Sequence, residues 1–579
     1  MASSIKFTSW LIVLPVLVAA WLNYPALQQS LQQWMGVAVA SPVVTLPQGR
    51  LTGKYMIGGS WPNPVESFMG IPYALPPVGH LRFANPVPVG NSSKTFEVTE
   101  FGPRCPGKQL LKIPGGRAAE SEDCLTANVF RPKGVNETSK LPVGVYMHGG
   151  AFNRGTSKMH DSASMVGWSN EPFIIVSFNY RLGALGFLNS ALTKREGLLN
   201  VGLKDQVLLM EWVQENVAKF GGDPGNVTLF GLSAGAHSIG HHVANINSGK
   251  TLFHKVAIES GGITSRAVHS YDSQLHKTQF RELAAEVSCN NCPDSELLAC
   301  LRAVSFDDIV EAQATVFAKY NPSVRWAWQP VIDNDIISRR PLDTWKSGNW
   351  HKVPILTGSN HNEGTMYVPT NMSKPQEFKE FFATLLPQLS EQEVEVLATL
   401  YPDPSEDPTS PYLETRDAPL GSQFKRVEAA YGHYAYVCPV RQNAIYGSAS
   451  PADPPIFLYH WAQNRSVIAG ANHGDQMWYE TMDPAVRAVS PTQADLAGWF
   501  HGYVTSFIIT GDPNAVKGRY PDRPEWKAFA DGGKTMVFGL GNDEPAGGNS
   551  VGTKAQFTKD TWAEKECKFW WEQSANPED

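Results

Sequence analysis

An α/β fold, built on a large, mostly parallel central sheet with helices on both faces, is predicted by three patterns in this chain of 579 residues. Strand-like runs "VGVYM" (143–147), "FIIVSFNY" (173–180), "VTLF" (227–230), "PILTG" (354–358) and "PIFLYHW" (455–461) recur between helix-like stretches. One of those stretches, "DQVLLMEWVQENVAKFGG", places Val207, Met210, Val213 and Val217 at helical spacing and stops at Gly221-Gly222. Finally, Gly231-Leu232-Ser233-Ala234-Gly235 joins the 227–230 run to an apolar stretch with three-to-four spacing, which reads as strand, sharp turn, helix. Ligands of such sheets bind outside the carboxyl ends of the strands, so reactive groups are expected directly after them.

The first residues read as a targeting segment. Lys6 is the one charged residue before Arg50, and "WLIVLPVLVAAWL" (10–22) is apolar but short for a membrane span. Residues 1–40 are expected to be a signal peptide, cut after Ala38-Val39-Ala40 or nearer Ala26, and residues 41–579 to be a single catalytic domain. No repeat or heptad run divides the remainder, and the Pro-rich stretch 401–422 and the tail 531–552 read as surface loops. With 42% hydrophobic and 18% charged residues, the chain can bury a large core; its net charge of −7 is dispersed, which argues against nucleic-acid binding. A secreted glycoprotein is the expected class. Sequons at Asn91, Asn136, Asn371 and Asn464 are candidate glycosylation sites, whereas the sequon at Asn226 sits against a strand and is expected to stay bare.

An alcohol nucleophile needs a base, an acid that orients the base, and donors for the developing oxyanion. Ser233 is the candidate nucleophile. A second G-x-S-x-G, around Ser550, lies in a Gly-rich loop and reads as a flexible turn. In open α/β sheets the chain order is Ser, acid, His, which leaves His433, His460, His473 and His501 of the 15 histidines. His473 stands in a Gly-flanked loop after a strand and is the candidate base; Glu363, in the loop after "PILTG", is the candidate acid, with Asp333 and Asp335 as alternatives. The turn His148-Gly149-Gly150-Ala151-Phe152 closes another strand and offers backbone N–H groups, joined by that of Ala234. Metal chemistry finds little support: Cys289 and Cys292 have no matching pair, and His237 and His241 lack the glutamate of H-E-x-x-H because Ser238 stands there.

These motifs, together with "FMGIPYALPPVGHLRF", "SEDCLTANVFRP", "FNYRLGALGFL", "IESGG", "QPVID" and "NEGT", resemble the type-B carboxylesterases of the α/β-hydrolase fold, and most of all their secreted fungal members. The resemblance runs from about Val43 to the C-terminus. It implies Ser233 as nucleophile, Glu363 as acid, His473 as base, and Gly150, Ala151 and Ala234 as oxyanion donors. It also implies disulfides Cys105–Cys124 and Cys289–Cys300. The pairing of Cys292, Cys438 and Cys567 stays open, one option being Cys438 with Cys567 and a free Cys292.

Two departures carry information. Leu232 stands where the family usually has Glu or Gln, and Gln476 stands where relatives often have an acid; Leu232 and Phe152 are the candidate substrate-pocket residues. An apolar Leu232 favours neutral esters. The loop between Cys105 and Cys124 is shorter than the flap of fungal lipases, which speaks against a large lid. The expectation is a secreted serine carboxylesterase with a small ester as its partner, needing no metal or organic cofactor and keeping no membrane span. An acyltransferase or a non-catalytic interaction module on the same fold are the rivals.

Overall fold

The strands follow one another as β1 (Val43–Leu46), β2 (Gly49–Thr52), β3 (Lys54–Tyr55), β4 (Val65–Pro72), β5 (Thr95–Glu97), β6 (Thr126–Pro132) and β7 (Leu141–Met147). After these come β8 (Ile174–Phe178), β9 (Gly222–Leu232), β10 (Lys255–Glu259), β11 (Ile355–Asn360), β12 (Ile456–Trp461), β13 (Lys534–Asn542) and β14 (Val551–Lys559). The structure, a computed structural model, describes residues 41–56, 61–108, 119–246, 249–265, 268–320 and 326–573. The expected signal peptide and the middle of the Cys105–Cys124 loop lie outside the described residues.

One sheet of 11 strands runs in the order β14-β13-β12-β11-β10-β9-β7-β8-β6-β4-β3, and β1, β2 and β5 form a separate small sheet. From β13 to β8 all neighbours are parallel; the outer pairs β13–β14, β6–β8, β4–β6 and β3–β4 are antiparallel. Strands β8 and β10 are buried along their whole length, as expected for strands covered on both faces. Side chains of alternate parity feed two cores. On one face, α2 (Val201–Asn216) and α3 (Ala234–Ala244) pack Leu209, Val213, Ile239 and Val243 onto Val145, Val176 and Ile258. On the other face, α1 (Ser162–Trp168) and α5 (Pro491–Thr510) pack Met165, Phe500, Tyr503 and Phe507 onto Tyr146, Phe230 and Ala257.

The chain order reverses at β7: β8 lies on one side of it and β9 on the other. The crevice at the carboxyl ends of β7 and β9 is therefore a topological switch point, where open α/β sheets place their ligands. The turn 148–152 and Ser233 flank it.

Two expectations change. The helix predicted from Asp205 begins four residues earlier, at Val201, and tightens into a 3₁₀ turn, Val217–Phe220, before Gly221 at φ 88° ends it. The tail 531–552 is not a surface loop: β13 and β14 form the sheet's edge hairpin. Gly539 and Gly541 at positive φ break the alternation that would have shown it, and β14 is half exposed throughout, so no apolar period marks it. Ser550 lies in the connecting turn, its hydroxyl donating to Gly541 O at 2.6 Å.

Three disulfides join Cys105–Cys124, Cys289–Cys300 and Cys438–Cys567, and Cys292 is free. Cys438 and Cys567 are fully buried and 129 positions apart. Closing so long a loop restricts the unfolded chain strongly, so Cys567→Ser is expected to cost about 3–5 kcal/mol, read as a lower denaturation midpoint.

Candidate active site

Ser233 joins β9 to α3 at φ 60° and ψ −125°, a conformation natural only to glycine. Its N–H donates to Glu259 O (3.0 Å), and its carbonyl accepts from His237 N (2.9 Å). This twist lifts the side chain off the sheet, and the neighbouring glycines make it possible. A Cβ on Gly235 would lie 2.0 Å from Met147 O; one on Gly149 would lie 2.5 Å from Leu232 O and 2.9 Å from Ser233 Cβ. Since backbone, not a movable side chain, fills that space, Gly235→Ala must push α3 away from β7. Loss of soluble protein, or of at least about 100-fold in kcat in whatever folds, is the expected result.

The turn after β7 closes on the same point. Gly150, Ala151 and Phe152 all have positive φ (115°, 57° and 60°), three left-handed residues in a row that fold the chain back on itself directly after β7. Asn153 Nδ2 donates to Ala151 O (2.9 Å) and Ala327 O (2.9 Å), and Gln329 Nε2 donates to Ala151 O (3.0 Å), so two amide side chains hold the turn from behind. Ala234 is the first residue of α3, where the N–H has no intrahelical acceptor. His148, in contrast, is structural: it is buried, stacks on Tyr180 at 4.4 Å, and burial lowers its pKa to about 4.

Glu363 and His473 stand in the loops after β11 and β12, tied by a parallel bridge between Asn362 and Asn472. The Glu363 carboxylate is buried; Oε1 accepts from Asn360 N (2.7 Å), and Oε2 lies 2.5 Å from His473 Nδ1. Nδ1 therefore carries the proton, and Nε2 is left with a lone pair. Nε2 is buried and has no hydrogen-bond partner among the described residues. The imidazole is walled by Tyr436 at 4.4 Å and Tyr367 at 5.6 Å, and Tyr436 is set in the π-helical turn His433–Val437, an insertion of the kind common at functional sites. Gly474, next to the imidazole, packs on Leu232, next to Ser233: a Cβ there would be 3.0 Å from Leu232 Cδ2. Glu363 and His473 are thus paired across the ends of β11 and β12, with Gly474 against Leu232 at the end of β9.

A profile of the Carboxylesterase family matches residues 40–570. The chain belongs to that family. It is accordingly a hydrolase of the serine type that acts on ester bonds. Similar proteins include Secreted lipase 4 of Gibberella zeae, 36% identical over 81% of this chain and 83% of that one, and Lipase 1 of Geotrichum candidum, 30% identical over 86% and 92%. The crystal structure of Aspergillus niger EstA superposes with a TM-score of 0.78 at 26% identity, covering 93% of this chain and 99% of that one.

The remaining candidate positions of this carboxylesterase-family chain divide by surroundings. Leu232 is 7% exposed, while Phe152 is in the core, edge-on to Phe187 at 5.1 Å. Asp333 caps a turn, accepting from the backbone of Asp335 and Ile337 and from Asn200 Nδ2, far from His473 in role. His237 and His241 are buried, and no group of three or more His, Cys, Asp or Glu among the described residues is placed to hold a metal. Asn91, Asn136 and Asn371 are exposed and Asn464 is half-buried, whereas the Asn226 amide is engaged by Lys255 and Ile509 O. Sequence reasoning missed Asn360, Asn153 and Gln329. Each lies in or beside a motif, but nothing in a sequence shows which neighbours a side-chain amide will bridge.

Proposed function

We propose that this chain is a secreted serine carboxylesterase that hydrolyses neutral carboxylic esters through an acyl-enzyme on Ser233. The hydrogen bond from His473 Nδ1 to Glu363, which leaves Nε2 as an unpaired base beside the turn that carries Ser233, is the observation that carries this reading. Ser233 Oγ attacks the ester carbonyl carbon as its proton passes to Nε2; the N–H groups of Gly150, Ala151 and Ala234 receive the negative charge on the carbonyl oxygen. The C–O bond to the alcohol then breaks, and the imidazolium returns its proton to the departing oxygen. Water, deprotonated by the same nitrogen, attacks the acyl-enzyme and frees the acid and Ser233. Glu363 keeps the imidazole in the productive tautomer and offsets its charge in the cationic stages.

Leu232 supports neutral substrates because it sets an apolar side chain, not a carboxylate, beside the nucleophile. Secretion is supported by the apolar segment 10–22, by three disulfides, and by relatives whose names call them secreted lipases. Residues 41–579 form the single catalytic domain, and Asn91, Asn136, Asn371 and Asn464 are its glycan sites. No helix among the described residues is long and apolar enough to cross a membrane.

Labelling by an organophosphonate, followed by peptide mass analysis, tests the nucleophile: the adduct is expected on Ser233. A label elsewhere, or none, defeats the reading. Product analysis with competing alcohols then separates hydrolysis from acyl transfer, free acid being the expected main product.

A further inference from the structure

Behind the Glu363–His473 pair lies a second pair of acids that the ester mechanism does not use. Glu259 ends β10, next in register to Leu232, and Glu480 ends α4 (Gln476–Glu480), the short helix that follows His473. Their residues are 3% and 2% exposed. The side chains facing them are Gln476 on the same helix, His160 before α1, Tyr146 on β7 and Tyr459 on β12; His501 on α5 bonds the Glu480 carbonyl. None is a fixed cation. His160 Nε2 is 3.2 Å from Glu480 Oε1, yet burial lowers its pKa to about 4, and His501 is lowered to about 4 in the same way. Two buried carboxylates without a cation repel each other and lose their hydration, so both cannot stay ionised.

The pattern of acceptors says where the proton goes. Glu259 Oε2 accepts from Gln476 Nε2 at 2.9 Å, whereas Glu259 Oε1 and Glu480 Oε2 are buried and unpaired, with the equally unpaired Tyr459 hydroxyl facing Glu259 as a neutral donor. The two carboxyl groups are within hydrogen-bonding reach of one another. A single proton between them satisfies both orphan oxygens at once. From there the chain of contacts leads to the reacting residues. Gln476 Oε1 accepts from Asn360 Nδ2 (2.9 Å); Asn360 Nδ2 also donates to Asn472 O (2.5 Å), beside His473; and Asn360 N donates to Glu363 Oε1 (2.7 Å).

We infer that Glu259 and Glu480 hold one proton in common and, through Gln476 and Asn360, position Glu363 and His473 for the ester reaction. Glu259, Gln476 and Glu480 are positioning residues. The inference rests on the reading of Ser233 and His473 given above. It also explains Gln476: the acid expected three residues past His473 is replaced by an amide, because Glu259 on the neighbouring strand supplies the carboxyl and an amide alone can donate to it while accepting from Asn360.

Losing the shared proton leaves two like charges in the interior and strains the loop that carries His473. Burial raises both carboxyls, Glu480 from 4.5 to about 8 even though its hydrogen bond with Glu259 pulls the other way, and the charge of Glu480 adds to the rise of Glu259. A carboxyl whose pKa is higher folded than unfolded contributes stability below its unfolded value and loses it as pH rises toward the folded one. Stability should therefore decline between about pH 4.5 and pH 8 and level off above it, where both states are ionised, while activity, which follows the shared proton itself, should fall as pH passes through 8.

The full chain, Glu480→Gln and Glu259→Gln provide the test, with kcat, KM and Tm measured from pH 5 to pH 9 and organophosphonate labelling alongside. The unaltered chain is expected to lose about 10-fold in kcat between pH 7 and pH 9 with KM changed less than about 2-fold, and its Tm to fall about 3 °C or more beyond that of Glu480→Gln. Glu480→Gln, whose amide donates permanently to Glu259, is expected to keep kcat within about 3-fold at pH 7 and to lose the alkaline decline. Identical pH profiles of kcat and Tm in all three proteins would overturn the inference. Should neither variant fold, infrared spectra of the unaltered chain decide, a buried protonated carboxyl at pH 7 supporting the inference and its absence overturning it. Failure of Ser233 to take the label, with the Tm difference intact, would sink the ester reading and leave the shared proton standing.

Discussion

Ser233→Ala is expected to lower kcat/KM by about 10⁴- to 10⁶-fold, because the nucleophile has no substitute and the members of such a catalytic set act as a unit. The stability of the same variant should hardly move. Ser233 is nearly buried at φ 60° and ψ −125°, and alanine keeps the Cβ that makes this conformation costly, roughly 1–3 kcal/mol. Glycine removes it. Ser233→Gly should be as inactive as the alanine variant and more stable than the parent by about 1 kcal/mol, the relief of strain outweighing the greater freedom of an unfolded glycine. Ester kinetics and denaturation midpoints on the three proteins check both halves. An alanine variant that keeps more than about a hundredth of parental kcat/KM would place the nucleophile elsewhere, and a glycine variant less stable than alanine would deny that strain is stored there.

That strain also explains why the nucleophile turn was legible in the sequence. Gly231, Gly235 and Gly149 are demanded by backbone atoms only 2.0 to 2.5 Å from where a Cβ would stand, so steric necessity writes itself as a motif. Central strands are legible for a related reason, since burial on both faces leaves an unbroken apolar run, as in β8; β10, equally buried but five residues long and bounded by Lys255 and Glu259, carries no such run and is not among the strands predicted. Where burial is partial the sign disappears: β14 has no buried residue and is not among the strands predicted, and its partner β13, interrupted by Gly539 and Gly541, falls inside the stretch 531–552 that reads as loop. Positions that depend on partners distant in the chain were beyond reach. Gln476 could be marked as unusual, but its meaning lies in Glu259, 217 positions away. Asn360 gave no sign at all, although it touches the acid loop, the base loop and Gln476 together. A sequence records residue types at a strand's end; it does not record which of them will face one another across the sheet.

Glu363→Gln is the second large effect, and it separates charge and tautomer from shape. Both carboxylate oxygens of Glu363 accept hydrogen bonds, Oε1 from Asn360 N–H and Oε2 from His473 Nδ1–H. An amide of the same size offers one acceptor and one NH₂. If its oxygen stays on Asn360, the NH₂ meets His473 and forces the imidazole to accept at Nδ1, which moves the ring proton to Nε2 and removes the base. If the amide is reversed, its NH₂ meets the Asn360 N–H head-on in a site with no room for water between them, a cost of about 1–3 kcal/mol that makes this orientation the minor one. The expected outcome is a loss of about 10⁴-fold in kcat with KM within about 3-fold of the parent, since the ring's place is kept while its proton is on the wrong nitrogen. Glu363→Asp keeps the charge but shortens the reach by a methylene, and a loss smaller than that of the amide is expected, because a displaced carboxylate still favours the Nδ1–H tautomer. Were the amide variant to match or exceed the aspartate one, Glu363 would be serving as a spacer, and the orientation of His473 would have to come from its walls, Tyr436 and Tyr367.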